Sequence, residues 1–462
     1  MKGKDLKKLG VPNGEPMRLV HLLMKSLSEQ GKSRDETALT IRSILTKPSA
    51  YRDHEVYGAF ARAVSPRTYV PRDRPAPYRQ WGTDLDEQSV RQMERACQLP
   101  VSVSGALMPD AHVGYGLPIG GVLATDHAVI PYAVGVDIAC RMKMTVLDLP
   151  PTELDTERGK ERLTRAIETE TRFGVGATHK DRRSHPVMDE DWTVSSVTRH
   201  NKDRAWSQLG TSGSGNHFVE FGVLTLPVRF EGLEPGTYLA LLSHSGSRGT
   251  GASVADHYSR LAMSLHRELP KELLYLAWLD LDTEAGQEYW AAMELMGRYA
   301  AANHACIHRH IEKHLKTDVL LDIENHHNFA WKERHAGRNV IVHRKGATPA
   351  GEGVVGIIPG SMASPAFIVR GKGQPVSLHS ASHGAGRVMS RKKALETFGW
   401  KDTNRVLKER GVTLISAGLD EVPFVYKNIE EVMAAQTDLV DIMARFDPRL
   451  VKMAPHGERP ED

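Results

Sequence analysis

Residues 108–125 read Met-Pro-Asp-Ala-His-Val-Gly-Tyr-Gly-Leu-Pro-Ile-Gly-Gly-Val-Leu-Ala-Thr, a glycine-rich turn that leads into a short apolar run. Similar runs, each the length of a strand and many of them next to a glycine-rich turn, recur at 142–149, 238–244, 318–323, 339–343 and 366–369. Helical stretches lie between them, and the longest extends from about Thr283 to Leu315 with apolar residues at helical spacing. Strands and helices in alternating blocks predict an α/β or α+β fold with a strand-rich core.

The chain is expected to fold as two domains. Residues 1–75 form a small helical region, because residues 17–27 have helical apolar spacing, and this region ends in a proline-rich linker. Residues 76–462 form the second and larger domain. Within it, residues 179–204 are polar and basic, which predicts a surface insertion or a mobile loop.

Composition narrows the class of protein. Hydrophobic residues make up 40% of the 462 residues and charged residues 25%, as in ordinary globular proteins. The net charge of +3 is too small to indicate nucleic-acid binding by itself. The three cysteines, Cys97, Cys140 and Cys306, are too widely spaced for a disulfide framework and favour a reducing compartment. Because neither a signal peptide nor an apolar run of ~20 residues is visible, we expect a cytoplasmic protein that does not contact a membrane.

Side chains that can bind a metal ion stand beside strand ends or glycine turns in four separate segments. Asp137 and Cys140 are three positions apart, so one tight turn can direct both at a single point. The other candidates are His217, His244 and His327, which only the tertiary fold can bring together. Taken singly, a buried cysteine or a histidine at a strand end is more often structural. As a set, these ligand types suit Zn²⁺, Fe²⁺ or Mn²⁺.

Three glycine-rich segments, 109–121, 210–216 and 359–364, could present backbone N–H groups to an anion. None of them has the sequence of a Walker loop, and tight turns between strands are the simpler interpretation. Cationic residues in or beside glycine turns modestly favour a polyanionic substrate; they are Arg248, Arg344, Lys345, Lys372 and Arg387.

The segment Ser382-His-Gly-Ala-Gly-Arg387 is the most specific of these signals. Glycines close to His383 leave room for a bulky group to reach its imidazole ring. Histidine can act as a covalent nucleophile, and a phosphoryl group on imidazole is easily passed on. A structural histidine at the beginning of a helix is the alternative.

In their order along the chain, these segments resemble the RtcB family of GTP-dependent RNA-splicing ligases. The resemblance covers about residues 100–455. It is carried by 108–122 and 327–328, and by Gly135-Val-Asp-Ile-Ala-Cys140, Gly213-Ser-Gly-Asn-His-Phe-Val-Glu220, His244-Ser-Gly-Ser-Arg-Gly249, His343-Arg-Lys-Gly-Ala-Thr348, Pro359-Gly-Ser-Met362, Ser382-His-Gly-Ala-Gly-Arg387 and Glu421-Val-Pro-Phe-Val-Tyr-Lys427.

The resemblance implies an RtcB-like fold with a deep cleft for two Mn²⁺ ions and GTP, in a ligase domain at 76–462. The implied metal ligands are Asp137, Cys140, His217, His244 and His327, with Cys140 bridging the two ions. The implied nucleophile, which becomes guanylylated, is His383. The implied nucleotide contacts are Asn216, Phe218, Glu220, Asn328, Ser361, His383, Gly384, Ala385, Gly386, Tyr426 and Lys452.

The implied reaction joins an RNA 3′-phosphate or 2′,3′-cyclic phosphate end to a 5′-hydroxyl end through a GMP–histidine intermediate. A metal-dependent phosphoesterase that opens cyclic phosphates is the alternative on the same scaffold, and a non-catalytic RNA-binding protein is a third hypothesis. An intact His383 favours ligation, and the complete ligand set disfavours a non-catalytic protein. Both tRNA splicing and RNA repair stay open, as does the need for an activating protein partner.

Several departures from the family pattern indicate a divergent branch. Ala139 and Arg141 flank Cys140 where the family usually has glycines, and Arg141 brings a cation close to the expected metal site. It could bind a phosphate or point away. Lys452 is followed by Met453 and a polar tail rather than by the usual terminal glycine.

Overall fold

The computed structural model describes residues 1–12, 14–65 and 69–458, and the chain divides into two compact units. The first unit comprises Met1–Val70 and Ser264–Pro270, and the second comprises Pro71–Met263 and Lys271–Asp462. The expected boundary at residue 75 and the ligase domain at 76–462 stay predictions. Residues 66–68 of the predicted linker lie outside the described residues.

Helices and strands are numbered here in chain order. The α-helices are α1 Gly3–Lys8, α2 Glu15–Glu29, α3 Arg34–Thr46, α4 Gly58–Val64, α5 Glu87–Cys97, α6 Pro131–Val134, α7 Glu157–Glu170, α8 Ser196–Gln208, α9 Arg248–Leu265, α10 Glu284–Leu315, α11 Arg391–Thr397, α12 Trp400–Glu409 and α13 Ile429–Ala434. The strands are β1 Tyr78–Gln80, β2 Ser102–His112, β3 Ile119–Thr125, β4 Ala128–Val129, β5 Arg141–Leu147, β6 Phe218–Leu226, β7 Gly236–Ser245, β8 Leu279–Asp280, β9 Val319–His326, β10 Asn328–His335, β11 Arg338–Lys345, β12 Ala347–Pro349, β13 Val355–Ile358, β14 Ala366–Gly371, β15 Ser380–Ser382, β16 Thr413–Ser416 and β17 Val440–Met453.

The first unit is built from α1 to α4. Its helices bury one apolar face each around a common core that includes Leu23, Leu27, Ile41 and Phe60. A capping box at Ser33 begins α3, since the Ser33 hydroxyl accepts a hydrogen bond from the Glu36 backbone N–H. The helical character predicted for the amino-terminal region is therefore present.

Two sheets dominate the second unit. One follows the order β1-β2-β3-β11-β10, and the other follows β13-β14-β17-β6-β7-β5-β9 with β16 paired to β17. The named pairs are antiparallel, apart from β1 with β2 and β16 with β17. The six strand-like runs of the sequence all lie in these sheets, on β3, β5, β7, β9, β11 and β14. The predicted mixed fold with a strand-rich core is confirmed.

Helix α10 covers one face of the second sheet, together with α7. Apolar residues of α10, among them Ile307 and Ile311, share a core with Leu163 of α7 and with Leu241 of β7. The predicted long helix is confirmed, and Thr283 is its N-cap. Over the described residues, no helix combines the length and the apolar character that crossing a membrane requires.

The prediction of a mobile loop at residues 179–204 is wrong, whereas many residues of the segment are exposed, as a surface insertion requires. The segment forms two short 3-10 helices, Pro186–Asp189 and Trp192–Val194, and then enters α8. Val187, Met188 and Trp192 are buried, and the Trp192 ring packs edge-on against Tyr299 of α10. A few well-placed apolar side chains anchor a segment whose average composition is polar.

Candidate metal and nucleotide site

The order of strands in the second sheet brings the predicted metal ligands together. Strands β6, β7, β5 and β9 are consecutive neighbours, and each carries a ligand candidate at the same edge of the sheet. His217 directly precedes β6, and His244 lies near the end of β7 opposite Phe218. Cys140 directly precedes β5, and His327 directly follows β9, where Arg141 pairs with His326. Segments that are far apart in sequence therefore end at one point.

The side chains converge on two overlapping groups. Asp137, Cys140 and His217 form one group, and Cys140, His244 and His327 form the other, with all ligand atoms in each group within 4.8 Å of one another. Cys140 Sγ lies 3.1 Å from His244 Nε2 and 3.5 Å from His217 Nε2. His244 Nε2 lies 3.2 Å from His327 Nε2. Because Cys140 belongs to both groups, it occupies the position that a bridging thiolate requires.

The hydrogen bond of His244 to Asn216 leaves one ring nitrogen available to a cation. The Nδ1–H of this histidine donates to the Asn216 carbonyl oxygen at 3.0 Å, and burial lowers its pKa to about 3, so the ring is neutral. The Nε2 atom then carries a lone pair, which is directed at Cys140 Sγ and His327 Nε2. Burial also holds the pKa of His327 well below its usual range. Converging lone pairs on buried neutral imidazoles and a thiol are what a bound metal ion requires.

Asp137 is fixed on several sides. One of its carboxylate oxygens lies 3.1 Å from His217 Nε2, and the other accepts a hydrogen bond from the Ser247 backbone N–H at 3.0 Å. Burial alone would raise the pKa of Asp137, but the hydrogen bond and charge of His217 outweigh it and hold the pKa at about 2. The Arg248 guanidinium lies 3.3 Å from the other ring nitrogen of His217. The Asn328 amide donates to the Asp137 carbonyl oxygen.

Ala139 and Arg141, the two residues around Cys140 that depart from the family pattern, differ in their surroundings. Ala139 adopts a left-handed backbone conformation with φ of 58°, which favours glycine, and its N–H donates to the Asn328 carbonyl oxygen at 2.7 Å. Arg141 points away from the ligand atoms: its guanidinium is buried, pairs with Glu324 at 3.1 Å and donates to the Gly297 carbonyl oxygen. Of the two roles considered for Arg141, the structure supports the one in which it points away.

His383 is oriented by a buried carboxylate. Asp110 is fully buried, and its Oδ2 accepts hydrogen bonds from His383 Nδ1 at 2.6 Å and from the backbone N–H groups of His383 and Gly384. Because Nδ1 donates to Asp110, the lone pair of a neutral ring is on Nε2. The ring centroid lies 5.0 Å from that of His327. Gly386, with φ of 76°, packs so closely on the Asp110 backbone that a side chain there would collide with it.

One cavity of about 900 Å³ joins the ligand cluster to His383. The predicted nucleotide contacts that line it are Asn216, Phe218, Glu220, Asn328, Ser361, His383, Gly384, Ala385, Gly386 and Tyr426. Lys452 is not among the lining residues. Its ammonium group pairs with Glu168 at 3.1 Å and lies over the Phe173 ring, while the adjacent Val451 and Met453 line the cavity. The structure thus brings together every predicted site residue except Lys452.

Two lining side chains have distinctive surroundings. Burial raises the pKa of Glu220 well above its ordinary value, because the charged carboxylate loses its contact with water. The Tyr426 hydroxyl donates to Glu421, which also pairs with Arg387 and Arg391.

The cationic residues noted in the sequence divide into two sets. Lys345 and Arg387 line the cavity, and burial lowers the pKa of Lys345 to about 7. Arg344 is instead structural, because it is buried, forms an ion pair with Glu333 and lies over the Trp331 ring. Lys372 pairs with Asp441 and does not line the cavity. A cationic residue beside a glycine turn therefore does not by itself indicate a position in the cavity.

Asp110 is the site residue that sequence reasoning missed. It was visible only as part of a glycine-rich segment, and it lies 273 positions from His383. No local spacing connects the two residues. The available signal was an aspartate within a run of apolar and glycine residues. If such a residue is buried, its carboxylate requires a partner.

Comparison with known proteins shows the family of this chain. The sequence model described as "tRNA-splicing ligase RtcB" matches residues 92–194 and 186–453. The RNA-splicing ligase RtcB of Escherichia coli K12 is 33% identical over 80% of this chain and 95% of its own length. The tRNA-splicing ligase RtcB of Nanoarchaeum equitans is 31% identical over 79% of this chain and 91% of its own length, and an RtcB homolog of Entamoeba dispar is 30% identical over 78% and 81%. The chain belongs to the RtcB family of RNA-splicing ligases.

Proposed function

We propose that this protein is a GTP- and Mn²⁺-dependent RNA ligase that joins an RNA 3′-phosphate or 2′,3′-cyclic phosphate end to a 5′-hydroxyl end. The observation that carries the proposal is the placement of His383. Its Nδ1 is engaged by the buried Asp110, and its ring stands beside His327 in the cavity that contains the Cys140 cluster. A histidine with a directed Nε2 lone pair, next to a metal cluster, suits nucleophilic attack on a phosphate.

Two Mn²⁺ ions are the proposed metals, held by Asp137, Cys140, His217, His244 and His327. When bound, they would neutralise phosphate charge and polarise the reacting phosphorus. The donor set fits, because it combines neutral imidazoles with one thiolate and one carboxylate. The ordering of Asp137 by Ser247 and of His244 by Asn216 would keep these ligands in place.

GTP is the proposed nucleotide, in the part of the cavity lined by Asn216, Phe218, Glu220, Ser361 and Tyr426. The Glu220 carboxyl group lines this part of the cavity and can form a hydrogen bond with the base. Residues 384–386 are Gly-Ala-Gly, and their small size leaves space beside His383 for the α-phosphate. Lys452, which pairs with Glu168, would have to reorient to reach the base.

The proposed reaction has three steps. His383 Nε2 attacks the α-phosphorus of GTP, so that an N–P bond forms and the bond to pyrophosphate breaks, and Asp110 stabilises the positive charge that develops on the ring. The GMP group then passes to an RNA 3′-phosphate. Finally, a 5′-hydroxyl attacks that activated phosphate and releases GMP. A cyclic phosphate end would first be opened by water.

A joining assay with defined RNA ends tests the proposal. Labelled RNA ending in a 3′-phosphate, a 2′,3′-cyclic phosphate or a 3′-hydroxyl is incubated with 5′-hydroxyl RNA, GTP and Mn²⁺. We expect the first two to be joined and the third to remain unjoined, with joining lost when GTP is omitted. Opening of the cyclic phosphate without any joined product would contradict ligation and identify a phosphoesterase.

A further inference from the structure

An exposed tyrosine stands at the mouth of the candidate active-site cavity. Tyr115 lies between β2 and β3 and is 61% exposed, although it is a large aromatic residue. It lines the cavity that contains His383. Its ring contacts two further tyrosines, with its centroid 5.6 Å from that of Tyr275 and 6.4 Å from that of Tyr132. The exposed ring of Tyr115 offers a flat aromatic face to a ligand that enters the cavity.

The backbone that carries Tyr115 is held from three directions. Gln92 on α5 hydrogen-bonds both the N–H and the carbonyl oxygen of Gly114. The Lys345 ammonium group donates to the Tyr115 carbonyl oxygen at 2.6 Å. Gly116, with φ of 73°, packs directly on the Tyr275 backbone, where a larger residue would not fit. The exposed ring is therefore presented on an ordered backbone, which reduces the entropy lost when a ligand stacks on it.

A second cavity of about 360 Å³ adjoins the same loop. Tyr115 lines both cavities, so this residue lies where the two cavities adjoin. Two cationic side chains, Arg95 and Lys271, line the second cavity with one acidic side chain, Glu272. An exposed aromatic ring beside cationic groups is the combination that binds single-stranded nucleic acid, because bases stack and phosphates pair with the cations.

We propose that Tyr115 is a stacking platform for one base of the single-stranded RNA that approaches His383, and that Arg95 and Lys271 contact the phosphates of the same strand. This inference rests on the proposed ligase function, since it assigns an RNA contact outside the metal and nucleotide residues. Stacking tolerates any base, so the platform fits an enzyme that recognises RNA ends rather than a sequence.

The test measures binding without chemistry. A short single-stranded RNA with hydroxyl groups at both ends, which cannot be joined, carries the fluorescent base 2-aminopurine. Its affinity is measured by anisotropy and its stacking by fluorescence quenching. We expect Tyr115→Leu to weaken binding at least roughly fivefold and to abolish part of the quenching. Tyr115→Phe, which keeps the ring, should bind and quench like the wild type.

Tyr238→Leu is the matched control, because Tyr238 is a partly exposed tyrosine on β7 six positions from His244. It should not change RNA affinity. Unchanged binding by Tyr115→Leu, or an equal loss in Tyr115→Phe, would overturn the stacking platform. The double variant Arg95→Gln, Lys271→Gln should reduce the salt dependence of binding, and an unchanged dependence would overturn the phosphate contacts.

A parallel assay separates this inference from the proposed function. Covalent labelling by α-labelled GTP does not require RNA, and we expect the same labelling in wild type and in all the variants. Normal labelling with unchanged RNA binding by Tyr115→Leu would overturn the platform alone. Absence of labelling in the wild type would contradict the proposed function, whatever the RNA affinities are.

Discussion

Asp110 determines the direction in which the His383 ring presents its lone pair. Its carboxylate accepts hydrogen bonds from the ring and from two consecutive backbone N–H groups, so the side chain and the main chain of the proposed nucleophile are fixed together. A carboxylate in this position selects one tautomer and stabilises the charge that develops during attack. In the proposed reaction it acts through His383 and does not need to contact the nucleotide.

We expect Asp110→Asn to slow guanylylation at least roughly a hundredfold, because an amide at this position can hold the wrong tautomer and does not stabilise a charged ring. The measurement is the initial rate of labelling by α-labelled GTP. Asp126→Asn is the control, since Asp126 also lies close to a histidine, His127, but both side chains are exposed. Equal labelling rates in Asp110→Asn and the wild type would show that Asp110 does not position His383.

Gly246 controls the space beside Asp137. A methyl group at this position would lie about 2.1 Å from the Asp137 carboxylate, so the carboxylate would have to move. We expect Gly246→Ala to weaken Mn²⁺ binding at least roughly tenfold, as measured by equilibrium dialysis. Gly249→Ala is the matched control in the same segment, because the nearest atom there is 3.4 Å away. Unchanged Mn²⁺ affinity in Gly246→Ala would remove Asp137 from the proposed ligand set.

Among the helices and strands, the sequence predicted best those elements that have a local hydrophobic pattern. Strand-like runs and the long helix follow from periodicity, so β5, β7 and α10 could be predicted without knowing their partners. The mobile loop predicted for residues 179–204 was wrong because the average polarity of the segment conceals three buried apolar side chains, Val187, Met188 and Trp192. Their burial depends on contact with α10, which the local sequence does not encode.

The beginning of α10 gives a prediction for one of these elements. The Thr283 hydroxyl accepts a hydrogen bond from the Gly286 N–H at 3.2 Å and donates to the Asp280 carbonyl oxygen at 2.6 Å. We expect Thr283→Ala to lower the free energy of unfolding by about 1 kcal/mol, measured by urea denaturation. Thr317→Ala, just after the same helix, is the control because its hydroxyl caps no helix N-terminus. Equal stability of the two variants would contradict the capping role.

At the scale of the whole molecule, the site depends on strand order. Four neighbouring strands of one sheet bring Cys140, His217, His244 and His327 to a common edge, although these residues span much of the chain. Spacing alone could not predict that convergence, because no two of the five proposed ligands form a recognised metal motif. The resemblance to the RtcB family predicted this convergence, and the structure brings the same residues together. The direction of Lys452 was not predictable, since it depends on Glu168 and Phe173 of distant segments.

The two-unit division leads to a prediction about truncation. All the residues proposed for the site belong to the second unit, and the family match begins at residue 92. We therefore expect a chain of residues 71–462 to be labelled by GTP at the rate of the full chain, with loosening confined to Ser264–Pro270, which belongs to the first unit. Loss of labelling in a truncated chain that keeps its circular dichroism spectrum would show that the first unit takes part in the reaction.

His383 is the residue that we propose carries the guanylyl group. The most direct measurement mixes the purified protein with α-labelled GTP and Mn²⁺, denatures it, and compares the wild type with His383→Ala. We expect acid-sensitive label on the wild type and none on the variant, with Mn²⁺ bound to both. Label that persists in His383→Ala, or no label on metal-loaded wild-type protein, would contradict the proposal.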